Sequence, residues 1–460
     1  MTPSSPTRWA TGLVVCISAA SACACGSSSA SRPTPAESPD PIPSSAAPAD
    51  DHHVEADEQR AVDEINRVLR QVSRMRKLPA LGSVAGRVID RPTMLRQVKD
   101  QVRSQVPMEA IEGESAFLST FGFIPADYDY EAGVYRLIES QLAGYYDPDQ
   151  KTMFLMGDLS GPETEVTLAH ELVHALQDQH YVLGPRLTYR KDANDAQAAI
   201  HCLAEGDATS LMLDFTLDES GLSAVAIPDE TLRLEIVSSM ALSPEMASFP
   251  RVLRDSLVAP YVDGVLFVHG LRRRGGWASV DQVWGNPPTT TEQVLHLEKL
   301  FAREPADTVP VPTGPSDGTW TTAHTDVYGE QGLRIALEEW MPRRVATDAA
   351  AGWGGDRVAV LTERDTAVTV AAWHIRFDPL PRRSDGEAVE AFSAIASSWG
   401  KSGLGDVCHT LSNGRRIVLA RKGRDLAMVV GAAPDVVDGP HPASACSQLS
   451  QWASSVLAQQ

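Results

Sequence analysis

Thr167-Leu168-Ala169-His170-Glu171-Leu172-Val173-His174-Ala175-Leu176 sets two histidines four residues apart inside an apolar helical repeat. On an α-helix such residues lie one turn apart on the same side, about 6 Å from each other. Two imidazoles at that spacing can share one tetrahedral zinc ion. Glu171 follows the first histidine and falls beside the ion's remaining position rather than on the ion, which suits a general base. The plainer alternative is a surface helix that carries two histidines and a glutamate by chance. Val166, Leu168, Ala169, Leu172, Val173 and Leu176 predict instead a mostly buried helix. Buried imidazole and carboxylate groups need partners, and a metal is one.

A catalytic zinc takes three protein ligands and a water. His180 and Glu205 compete for the third place. His180 completes a spacing similar to that of the metzincins, but ten residues of unbroken helix put it about 15 Å from His170. Metzincins end that helix with a glycine at the eighth position. Here the eighth position is Gln177 and the first glycine is Gly184, so geometry favours Glu205. Glu205 lies in Ala199-Ile200-His201-Cys202-Leu203-Ala204-Glu205-Gly206-Asp207-Ala208-Thr209, where Ala199, Leu203, Leu211, Met212 and Phe215 can pack while the carboxylate faces the ion. Gly206 leaves room for a second helix to approach. Thr209, one turn on, is placed to hydrogen-bond a ligand.

Upstream, Gly144 to Met156 reads as a β-hairpin around an Asp147-Pro148-Asp149 turn. A strand followed by the metal helix resembles the zincin peptidases, in which an extended substrate pairs with an edge strand. The motif pair, His-Glu-Leu-Val-His at 170–174 and Glu-Gly-Asp-Ala-Thr at 205–209, is similar to gluzincin-type metallopeptidases. It resembles more closely a group of bacterial lipoproteins and secreted proteins classed with them. The likeness continues through Pro288–His296 and Gly352–Asp356 and would cover residues 130–400. It implies a Zn2+ cofactor, a peptide or protein substrate, His170, His174 and Glu205 as ligands, and Glu171 as base. Thermolysin-like enzymes bring the glutamate closer and place an aspartate four residues after it. Thr209 stands at that position, so that orienting carboxylate does not carry over. A donor to the oxyanion is also needed. His296 and Tyr261 are the candidates.

At 460 residues the chain has room for two or three domains. A net charge of -20 argues against nucleic acid as a partner. Residues 1–22 read as a signal peptide, whose apolar stretch from Trp9 to Ala22 is too short for a membrane span. Small residues before a cysteine resemble the lipobox of bacterial lipoproteins, with Cys23 as the acylated residue and Cys25 the alternative. Plain secretion is the other reading. Residues 23–54, rich in Ser, Pro and Ala, read as a flexible tether. A helical leader at 55–127, a zincin-like domain at 128–346 and a small α+β domain at 347–460 follow, so the expected class is α+β and mainly helical. In an exported protein Cys408 and Cys446 are expected to pair. Cys202 reads as a small buried hydrophobe. The expected protein is a zinc peptidase held at the outer face of a membrane by a lipid. The alternatives are a zinc amidase acting on cell-wall peptides and a non-catalytic metal-binding surface lipoprotein.

Overall fold

The computed structural model describes residues 51–141, 144–156, 162–241, 246–316, 319–366, 368–381, 385–433 and 445–459. The expected signal segment, Cys23 and Cys25 lie outside them. The chain runs through α1 (Asp51–Arg76), β1 (Ala85–Ile89), α2 (Arg91–Gln105), α3 (Met108–Thr120) and α4 (Tyr130–Gln141) to the hairpin β2 (Gly144–Asp147) and β3 (Thr152–Met156). Helix α5 (Pro162–Tyr181) carries the two histidines. After the short α6 (Leu183–Leu187), α7 (Asn194–Leu217) carries Glu205. Helices α8 (Asp229–Ala241), α9 (Arg251–Gly275), α10 (Trp277–Gly285), α11 (Thr291–Leu295) and α12 (Leu297–Ala302) follow. The remainder is β4 (Trp320–Asp326), α13 (Gly329–Leu337), α14 (Arg343–Ala350), β5 (Trp353–Glu363), β6 (Thr369–Phe377), α15 (Ala388–Ser398), β7 (Val407–Thr410), β8 (Arg416–Lys422), β9 (Asp425–Val430) and α16 (Cys446–Val456). The class is α+β.

The hairpin forms as its turn chemistry demands. Asp147 Oδ1 accepts the amides of Asp149 at 2.8 Å and Gln150 at 3.0 Å, and Lys151 takes the left-handed backbone with φ 50°. Its partners differ from expectation. Strand β1 lies parallel along β3, giving the order β1-β3-β2, so β3 has no free edge for a substrate to pair with. Strand β1, Ala85-Gly86-Arg87-Val88-Ile89, is short and β-branched only in its last two residues. Pairing with β3 extends that weak local signal into a strand.

The helical leader is part of the body. Besides contributing β1, α1 buries Arg76 against Asp207 of α7, with Nε to Oδ1 at 2.6 Å, and against Asp281 of α10 at 2.8 Å. The larger sheet, β4-β5-β6-β9-β8-β7, is antiparallel throughout. It takes in β4, so it starts ahead of the expected boundary at 347. One face packs with Phe117 of α3, with Phe121 just beyond that helix and with helices α13 to α15. The other is covered by α16 through Leu449, Trp452 and Val456. Cys408 and Cys446 are bonded, Cα to Cα 5.9 Å, tying α16 to β7. Among the described residues no helix is long and apolar enough to cross a membrane.

Pro260 reads as a helix start, yet it lies inside the continuous α9. Packing of α9 against α7 overrides the missing amide hydrogen bond. That packing is unusually close. A Cβ on Gly206 would meet the Gly264 carbonyl oxygen at 2.1 Å, and one on Gly264 would meet the Cys202 carbonyl oxygen at 2.2 Å. Backbone therefore touches backbone, and neither glycine can gain a methyl unless the helices separate. Gly206→Ala and Gly264→Ala are each expected to destabilise the protein by about 3 kcal/mol, read as a lowered thermal midpoint. An unchanged midpoint would show that the helices slide apart at little cost.

Candidate metal centre

Helix α5 is apolar on nearly every side. Leu168, Ala169, Leu172, Val173, Ala175 and Leu176 are all within 1 % of complete burial. The same packing encloses His170, Glu171 and His174 and, across the interface with α7, Glu205. The three expected donors meet. His170 Nε2 lies 3.3 Å from His174 Nε2 and 3.1 Å from Glu205 Oε2, and His174 Nε2 lies 3.6 Å from Glu205 Oε2. A tetrahedral zinc with bonds of about 2.0–2.1 Å separates its ligands by about 3.3 Å. The triangle of side chains matches that edge length, so these residues fit the ion.

Two braces fix the donors. Gln177 Nε2 donates to the Ala204 carbonyl at 3.0 Å, which leaves Gln177 Oε1 to accept from His174 Nδ1 at 2.9 Å. That proton position turns the lone pair of Nε2 toward the site. Glu171 Oε2 accepts the Tyr146 amide at 3.1 Å, and the Tyr146 hydroxyl donates to Asp178 at 3.1 Å. Strand β2 is thereby laid along α5, and its outer edge faces the centre. Burial opposes charge on His174, but the Glu205 carboxylate outweighs it and lifts the imidazole to about 9. Burial also opposes charge on Glu205, yet the two imidazoles hold its carboxyl well below the usual range. Protons and an ion are thus alternative ways of neutralising the same three groups.

Of the two oxyanion candidates, Tyr261 reaches the centre. Its ring stacks on His170 with centroids 6.1 Å apart, and it is 4 % exposed. His296 does not. Its Nε2 pairs with Glu330 Oε1 at 2.9 Å, an ion pair that holds the junction of α11 and α12 to α13. The expectation that His296 donates to an oxyanion is corrected on that ground. His180 lies at the exposed end of α5, where its Nε2 donates to the Pro79 carbonyl at 2.6 Å. Thr209 Oγ1, expected to brace a ligand, has no hydrogen-bond partner. Cys202 is buried, its Sγ accepting from Gln331 Nε2 at 3.4 Å, and burial pushes its thiol up.

Sequence reasoning missed four features. Gln177 was read only as a residue unable to break the helix, although a side-chain amide one turn after a ligand is a brace in the right place. His201, one turn before Glu205, is buried on the same face. A cavity of about 370 Å³ adjoins the centre, with Glu205, His201 and Tyr261 in its wall beside apolar side chains of α3, α4, α9 and α13. A second acidic group, Glu292, Glu304 and Asp378, is met from within by Lys299, whose Nζ lies 2.5 Å from Glu292 and 3.2 Å from Glu304 and also contacts Asp378.

The profile of a family described as Domain of unknown function (DUF8575) matches residues 319–441. The match spans the six-stranded sheet and contains none of the candidate ligands. No curated protein and no solved structure matches the chain. The wild-type chain is expected to hold about one zinc, and His174→Ala and Glu205→Gln to lose it. Gln177→Leu should weaken binding by about 10- to 100-fold. Metal analysis after dialysis checks all three, and undiminished zinc in Glu205→Gln would remove Glu205 from the ligand set.

Proposed function

We propose that this chain is a zinc-dependent peptidase in which His170, His174 and Glu205 hold the ion and Glu171 is the general base. The observation that carries the reading is the triangle of donor atoms, 3.1, 3.3 and 3.6 Å on its sides, with a carboxylate of the same helix beside it. A zinc ion bound there would supply a Lewis acid that polarises the scissile carbonyl and acidifies water in its fourth position. Glu171 takes the proton of the attacking water and returns it to the leaving amide nitrogen. The Tyr146 amide holds the carboxylate of Glu171 in place for both transfers. Tyr261, against His170 and on the cavity wall, is placed to donate to the developing oxyanion.

Substrate reaches the centre through the cavity, since β3 is paired on both sides and the edge of β2 is turned onto α5. The N-terminal signal and lipobox-like cysteines support a protein anchored by lipid outside the cytoplasmic membrane. The bonded pair Cys408 and Cys446 agrees with an oxidising location.

Incubation of the zinc-loaded chain with a peptide library, read by mass spectrometry, is expected to give defined cleavage products. Glu171→Gln should keep its zinc and lose at least about 10²-fold of the rate. Equal product formation by that variant would overturn the assignment of the base. Tyr261→Phe should lower kcat more than it raises KM, because the hydroxyl acts on charge that appears only in the transition state.

A further inference from the structure

The cavity beside the centre carries charge of one sign. Its wall includes four carboxylates, Glu114, Glu131, Glu205 and Asp326, and no lysine or arginine. Two of the four have obvious counterparts: Glu205 faces the histidines, and Glu131 pairs with Arg103 at 2.9 Å. The other two have none. Glu114 Oε2 accepts from the Tyr328 hydroxyl at 2.6 Å, and the same oxygen lies 3.7 Å from His324 Nε2, beyond hydrogen-bond reach. Asp326 Oδ1 accepts only backbone amides, from Asn194 at 3.0 Å and Val327 at 2.8 Å. Among the described residues neither carboxylate has a lysine or arginine partner.

Two buried imidazoles on the same wall add an independent sign of a ligand. His324 is 8 % exposed and His201 7 %, and the Nε2 atom of each has no hydrogen-bond partner. Buried polar atoms are nearly always satisfied, so orphans in a cavity wall mark the place of a missing polar group. Burial also pushes His324 down to about 4, so at neutral pH it brings no positive charge to Glu114. Burial, with Asp326 nearby, pushes the Glu114 carboxyl up to about 7 despite its Tyr328 hydrogen bond, as expected of an acid that lacks a counter-ion. Apolar side chains, among them Phe117, Val134, Leu257 and Ile335, line much of the rest of the wall.

We propose that the cavity receives a cationic group on an apolar stem, an alkylammonium or guanidinium such as a lysine or arginine side chain of a peptide, with Glu114 as its counter-ion. The stem lies along the apolar side chains of the wall, and the cation takes the position beside Glu114 that no lysine or arginine among the described residues fills. Placing that side chain in a peptide substrate rests on the peptidase reading. Binding of the cation does not.

The test uses three probes of one stem length, hexylammonium, hexylguanidinium and hexanol, titrated by calorimetry into the zinc-loaded full chain. Both cations are expected to bind at least about tenfold more tightly than the alcohol. Glu114→Gln should abolish that preference while leaving the alcohol's affinity unchanged, so the alcohol also reports whether the variant is folded. Hexylguanidinium cannot act as a zinc ligand, which separates recognition of charge from ligation of the metal by an amine. A Glu114-dependent preference for ammonium alone would support a lysine-type group over an arginine-type one. Equal binding of all three probes by the wild type, or a preference that survives Glu114→Gln, would overturn the proposal. Glu171→Gln is expected to bind the cations as the wild type does. In the wild type, cation binding without peptide hydrolysis would count against the peptidase reading alone, and hydrolysis without cation preference against this proposal alone.

Discussion

Contact between two backbones, Gly206 of α7 and Gly264 of α9, sets the distances on which the rest of the structure depends. It draws α7 tight against α9, and Glu205 and Asp207 flank the contact on α7. Glu205 is delivered to the histidines of α5, while Asp207 receives Arg76 from α1 and the indole of Trp284 at 2.9 Å. The third candidate donor and the anchor of the leader helix are therefore consequences of the same crossing. A methyl group at either glycine moves both.

The second constraint is electrostatic. This interior buries many ionisable groups, and each needs compensation. Arg76 and Asp207 compensate each other, and Lys299 sits among three acids, Glu292, Glu304 and Asp378. Glu171 is held by a backbone amide. At the centre two imidazoles face one carboxylate, a set that only a proton or a cation can satisfy. At Glu114 the described residues offer no lysine or arginine, and there the wall opens onto a cavity.

The centre was legible because its signals are local. Four-residue spacing on a buried helix places His170 and His174, and helix length alone removes His180 from the ligand set. Glu205 could be chosen over His180 by the same arithmetic. The pairing of Cys408 with Cys446 was expected from the signal-like N-terminus and the cysteine count, and the two are bonded. What the sequence did not disclose depends on contacts between distant segments. Strand β1 is five residues long with only Val88 and Ile89 β-branched, so its parallel pairing with β3 has no clear local pattern. Strand β4 precedes two helices and joins the large sheet beside β5, so the textural change near 347 marked the middle of a unit rather than its start. His296 was singled out by its surroundings in sequence, but Glu330, 34 residues away, claims its ring. Pro260 reads as a break until α7 is packed against it. The cavity is built from residues of α3, α4, α7, α9 and α13 and has no local signature.

The central claim is that the ion at His170, His174 and Glu205 keeps one position open for chemistry. Zinc K-edge X-ray absorption on the loaded protein tests this most directly, recorded with and without a hydroxamate. The expected result is a four-coordinate ion with two imidazoles and light oxygen donors at about 2.0–2.1 Å, whose spectrum changes when the hydroxamate binds. A spectrum showing four protein ligands, unaltered by the hydroxamate, would mark the site as closed and structural and would contradict the hydrolytic reading.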